Sequence, residues 1–196
     1  MTLLNETDLN VAEYDRYFSA ILNASVHWHP YDNPDMLHYV ELNKSRHDRW
    51  MKKGELLPET IDIIKTIRKP LTWILITEPW CGDAAHSVPF ILKMAEQSRT
   101  VNLELRLRDS EGSEIERYLT NGAKAIPLLI VRNEFGEDLF TWGPRPDEAR
   151  LLRQRLTEHG SDPDTVKITL QKWYNLDQGR TLQKELTERL QEYVMK

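Results

Sequence analysis

The chain has 196 residues, of which 40% are hydrophobic and 29% charged, enough for one packed domain with additions and too apolar for wholesale disorder. Its formal net charge of -5 argues against nucleic acid as the partner, because phosphate binding rests on clustered Lys and Arg. No apolar run reaches the roughly 20 residues that span a bilayer, so no membrane partner is expected.

The opening stretch, MTLLNETDLN, has neither a basic start nor an apolar segment. The single cysteine, Cys81, excludes an intrachain disulfide. A cytoplasmic, reducing location is the simplest expectation, and the N-x-S/T triplets at Asn5, Asn23 and Asn43 are then chance matches. Residues 8–23 read as a helix with Leu9, Val11, Tyr14, Phe18, Ile21 and Leu22 near one face. Two prolines in SVHWHPYDNP break that pattern. Asn33 then caps a second helix, with Pro34 at its first position, that runs to about Lys52. PETIDIIKTI predicts a short third helix carrying Ile61, Ile63, Ile64 and Ile67.

The character changes at residue 71. LTWILIT (71–77) is continuously apolar and β-branched, as in a strand buried on both faces. Residues 83–98 predict a helix. VNLELRLRD alternates, with Val101, Leu103, Leu105 and Leu107 on one side, and predicts a half-buried strand. SEGSEIERYLTNG reads as a short helix closed by Asn121-Gly122. PLLIVRN and FGEDLFTW predict an antiparallel hairpin, and RPDEARLLRQRLTEHG a helix ending at Gly160. Two more helices follow. The last carries Leu182, Leu186, Leu190 and Val194 four residues apart, a stripe that packs on the domain or forms a homodimer seam. The expected organisation is a helical extension (1–56), an α/β domain (57–160) and a second helical extension (161–196).

Within 57–160 the motifs resemble the thioredoxin superfamily. WCGDA stands where that family carries W-C-G-P-C, between a buried strand and a helix. Pro89 lies eight residues after Cys81, the spacing of the family's helix-kinking proline. NGAKAIPLLIV matches the G-x-x-x-I-P run, and TWGPR the glycine turn that closes the substrate groove. The resemblance implies a thioredoxin-like mixed β-sheet flanked by helices. It also implies a cis Pro127 facing Cys81, with the backbone of Ile126 presented to an extended peptide, flanked by Trp80, Gly82 and Trp142-Gly143.

A cysteine in the first helical turn meets the helix dipole and free N–H groups, both of which favour the nucleophilic thiolate. The fold implies a partly exposed Cys81 able to form one mixed disulfide. Ala84 stands where the resolving cysteine belongs, so a self-contained dithiol cycle is excluded. Leu75 stands where the family keeps a buried proton-transfer acid. Asp83 replaces the family's proline; it either compensates the helix dipole or contacts substrate, and its charge raises the thiol pKa. Glu78 and Asp83 do not read as an acid/base pair. His86 reads as a helix-surface residue, and Trp142 as either core or groove. His27, His29, His38 and His47 lack the ligand set that zinc requires, so no metal site is expected.

Three functions follow. The first is monothiol thiol-disulfide exchange through Cys81, with glutathione or a protein disulfide as co-substrate, an external resolving thiol and no resident cofactor. A basic set for glutathione, such as monothiol glutaredoxins carry, is not evident beyond Lys124 and Arg145. The alternative is a non-catalytic module that binds a peptide or protein in the groove. The third is a scaffold or dimer with no groove function.

Overall fold

The apolar run Leu71–Thr77 forms β1, an interior strand of a four-stranded sheet ordered β2-β1-β3-β4. The computed structural model describes residues 9–194, so the Asn5 triplet and most of the opening stretch lie outside the described residues. β2 (Val101–Leu107) runs parallel to β1, with Leu75 opposite Leu105. β3 (Leu128–Arg132) runs antiparallel to β1, and β4 (Asp138–Trp142) pairs with β3 as the predicted hairpin. The crossover from β1 to β2 is α4 (Gly82–Ala95), which has Pro89 in its interior.

The helices sit where their caps place them. α1 (Val11–Leu22) starts at Asn10 with a reciprocal Asn10/Glu13 capping box. Leu9 therefore lies outside the predicted helix; it bridges Leu105 and covers part of the free edge of β2. α2 (Pro34–Lys53) is capped by Asn33, whose side chain accepts from the amide of Asp35 at 2.9 Å. α3 (Pro58–Thr66) is followed by the buried Ile67. α5 (Asp147–Glu158), α6 (Pro163–Asp177) and α7 (Arg180–Val194) complete the chain.

One predicted helix is absent. Between β2 and β3 only a single 3-10 turn forms, Ile115–Arg117. Asn121 and Gly122 both have positive φ, 51° and 79°, and Thr120 bridges Ala123 across them. The pair builds a tight two-residue turn rather than a helix cap, a role that asks for the same backbone conformation.

The core is shared by all three segments. Tyr14, Phe18 and Ile21 of α1, Ile74, Leu75 and Ile76 of β1, and Leu182, Leu186 and Leu190 of α7 belong to one buried cluster. The leucine stripe of α7 is thus spent on packing inside the chain, with only Val194 exposed. Thr187 of α7 and Thr60 of α3 share a buried hydroxyl pair at 2.9 Å.

Candidate functional site

Cys81 is the N-cap residue of α4, at the carboxyl end of β1. Its placement follows from the sequence: the buried strand ends at Thr77, and EPW turns the chain before the helix opens at Gly82. The thiol, however, points inward. Sγ donates to the carbonyl of Ile126 at 3.4 Å, and the residue is only 8% exposed. Burial pushes the thiol pKa up to about 12, and the charge of Asp83 adds to the rise. The backbone N–H groups of Ala84 and Asp83, and the Arg145 guanidinium, act in the opposite direction but do not prevail. The expectation of a partly exposed thiol is corrected: desolvation outweighs the helix terminus here.

The Ile126–Pro127 bond is cis, and Ile126 and Pro127 are both buried. Gly143 follows Trp142 with φ 130°, and an added Cβ there would lie 2.1 Å from the Pro127 carbonyl oxygen. Only glycine fits both constraints. Gly143→Ala is expected to cost about 3 kcal/mol or more, read as a lower denaturation midpoint. Trp142 is buried, and its indole N–H donates to Glu185 of α7 at 2.6 Å, so its burial answers to the core use of the two. Trp80 is half-buried rather than exposed, with the Arg108 guanidinium 4.6 Å from the ring centroid.

Asp83 neither caps α4 nor faces open solvent. Its carboxylate forms an ion pair with Arg145 and accepts from the Tyr174 hydroxyl of α6 at 2.8 Å. Burial raises its pKa while Arg145 and Tyr174 oppose the rise. Arg145 is therefore paired with Asp83, and Lys124 pairs with Glu116 at 2.5 Å, so both of these cations have acidic partners within the chain.

His86 is not on the surface. It is 4% exposed, stacked on Tyr174 with ring centroids 4.5 Å apart and an interplanar angle of 2°. Its Nδ1 accepts from the Trp50 indole at 2.9 Å, so the ring proton sits on Nε2 and is donated to Gln171 at 3.0 Å. Desolvation lowers its pKa to about 4. The signal was available in the sequence. The neighbours of His86 are Ala84, Ala85, Ser87, Val88, Pro89 and Phe90, a run with no polar face, which marks a helix buried all round.

Residues on both sides of the sheet segment hold the loop that carries Cys81. Asn43 of α2 donates to the Pro79 carbonyl at 3.0 Å, and the Tyr31 hydroxyl donates to Glu78 at 3.3 Å. Trp50 of α2 and Gln171 of α6 fix His86, and Tyr174 fixes Asp83. Glu78 is itself buried, and desolvation, reinforced by Asp109, pushes its pKa up to about 7. Asn43, Arg46, Gln171 and Tyr174 carry no sequence signal of a role at this site, because they reach it from positions far along the chain.

Beside the first turn of α4 lies an open cavity of about 650 Å³, bordered by α2, α5 and α6. Trp80, Gly82, Asp83, Arg145 and His86 line it on the α4 side, whereas Cys81, Ile126 and Pro127 do not. Trp142 and Gly143 line a separate cavity of about 390 Å³, so the sequence-predicted residues do not share one concavity. The histidines gather no metal set: His29 lies by Asp32, His38 by Glu41, and His47 is buried in the core. Among the described residues, no group of three His, Cys, Asp or Glu is placed to hold an ion.

A family model described as thioredoxin matches residues 30–157. The chain belongs to that family. Two solved structures are similar to it at low identity. An HIV epitope-scaffold is 12% identical with a TM-score of 0.49, covering 95% of this chain and 96% of its own. A protein of unknown function from Pseudomonas aeruginosa is 14% identical with a TM-score of 0.44 and the same coverage, 95% and 96%. No curated protein sequence matches the chain.

Proposed function

We propose that this thioredoxin-family chain is a non-catalytic binding module in which Cys81 is a packed structural group. The observation that carries this reading is the inward thiol, which donates its hydrogen to the Ile126 carbonyl and is 8% exposed. A nucleophile needs the opposite: thiolate character and access. Ala84 supplies no resolving sulfur, and Leu75 no proton-transfer acid. What the family fold retains is a platform with a concavity at the α4 terminus, bordered by α2, α5 and α6. Cavities of this size hold small molecules or the anchoring side chain of a peptide.

One observation favours a second reading, monothiol exchange. The N–H groups of Ala84 and Asp83 and the Arg145 charge all act on the sulfur so as to stabilise a thiolate. Were the loop to open, Cys81 would attack a disulfide such as oxidised glutathione, forming a mixed disulfide and releasing one thiolate. A second, external thiol would then resolve it. Incubation with oxidised glutathione followed by intact-mass measurement separates the two. The binding-module reading expects an unmodified mass after an hour at neutral pH. Stoichiometric glutathionylation of the folded chain would overturn it in favour of exchange.

A further inference from the structure

The cavity at the α4 terminus has a chemical bias that its position alone does not convey. Four basic side chains line it, Arg46, Arg145, Arg153 and Lys167, against a single carboxylate, Asp83. Asp83 is already neutralised by Arg145. Arg153 and Lys167 are exposed, and Lys167 pairs with Asp164 at 3.3 Å and donates to the Tyr39 hydroxyl at 3.0 Å. Arg46 is different. It is half-buried, and its side-chain bond goes to the neutral amide oxygen of Asn43 at 2.9 Å. Among the described residues no carboxylate pairs with it.

The guanidinium of Arg46 is also held against the start of α4. A Cβ built on Gly82 would lie 4.0 Å from its Nη1, so the cation and the first turn of the helix face the same space. The absence of a side chain at Gly82 keeps that space open. Both attract negative charge: the helix terminus through its dipole, the guanidinium through a planar fork matched to a carboxylate. Met36, Tyr39, Val166 and Leu170 supply apolar and aromatic surface to the wall, beside the polar Thr157, Ser161 and Gln171. A cation without an acid in a cavity that also offers apolar side chains is the complement of an amphipathic anion.

Resting on the binding-module reading, the geometry points to a small organic carboxylate with an apolar body as the ligand of this cavity, its carboxylate held by Arg46 beside Gly82 and its body against Tyr39 and Leu170. The helices that shape the site, α2 and α6, come from the extensions on either side of the sheet segment. The extensions therefore supply a ligand site as well as structural support.

The test uses the full chain and two defined probes, 8-anilinonaphthalene-1-sulfonate as a fluorescent anion and decanoate as its competitor. The fluorophore should saturate at one site, and decanoate should displace it while decan-1-ol at equal concentration does not. Arg46→Gln should weaken decanoate about tenfold, whereas Arg46→Lys, which keeps the charge, should lose about threefold or less. Val166→Trp, which fills the cavity, should abolish both. Circular dichroism and melting confirm that each variant is folded before its binding is read. Unchanged decanoate affinity in Arg46→Gln, or equal displacement by decanol, overturns the carboxylate assignment while leaving the binding module in place. Absence of saturable binding by either probe overturns the proposed ligand class outright. Glutathionylation of Cys81, measured separately, is what would overturn the module itself.

Discussion

Iodoacetamide should alkylate Cys81 in the folded chain about a thousandfold more slowly at pH 7.5 than in the urea-unfolded chain. The factor comes from ionisation. A thiol moved from its ordinary value of 9.0 up to about 12 carries roughly three powers of ten less thiolate at any pH below both values. Steric burial slows the reaction further. The causes can be separated by substitution. Asp83 contributes the second-largest push, and the Arg145 charge that it neutralises would act on the sulfur unmasked if the carboxylate were removed. Asp83→Asn should therefore speed alkylation about tenfold, short of the full thousandfold, because burial remains the larger cause. Equal rates in wild type and Asp83→Asn would show that the Asp83 charge does not act on the thiol.

The second large effect lies at His86. Truncation to alanine removes the face-to-face stack with Tyr174 and leaves the Trp50 indole and the Gln171 carbonyl without their shared partner. The cavity and the unsatisfied donor together should cost about 4 kcal/mol in chemical denaturation. The same residue makes stability depend on pH. His86 and His47 both have pKa values lowered to about 4, against an ordinary value of 6.5. Between these values the unfolded chain binds protons that the folded chain refuses. Stability is thus fully present above about 6.5 and lost as pH falls towards 4, by roughly 3 kcal/mol for each ring. Glu78 acts in the opposite sense. Its pKa is raised to about 7 from 4.5, so its share is present at low pH and lost as pH rises through 7. Two rings outweigh one carboxyl, and the net expectation is a melting temperature that falls between pH 6.5 and 4. Glu78→Gln should make that fall steeper and raise stability at pH 8. A melting temperature that climbs on acidification would contradict the assignment of both histidines as neutral core residues.

Much of the fold was legible because its signals are local. Asn33-Pro34 names the start of α2, and LTWILIT has no polar face to offer solvent, so β1 could only be an interior strand. The other strands were legible from alternation and short apolar runs, and the cis proline was what the family resemblance implied. The misreadings share a cause. Asn121-Gly122 demands left-handed backbone whether it ends a helix or turns a hairpin, and only the pairing of Thr120 with Ala123 decides. His86 was read from its own helix, yet its partners lie 36 and 85 residues away. The exposure of Cys81 was inferred from a fold without extensions, whereas here Asn43, Tyr31 and Tyr174 tie down the loop and helix turn around it. Arg46 stayed invisible because a helix-surface arginine carries no mark of the carboxylate it lacks.

A structural Cys81 requires a thiol that is protonated and buried in the native state. The most direct measurement is the ¹³Cβ chemical shift of Cys81, labelled in the full chain and followed from pH 6 to 9.5. A shift that stays at the thiol value across that range is the predicted result. A titration centred near pH 7 or below would show an activated thiolate, and would return Cys81 to the role of nucleophile.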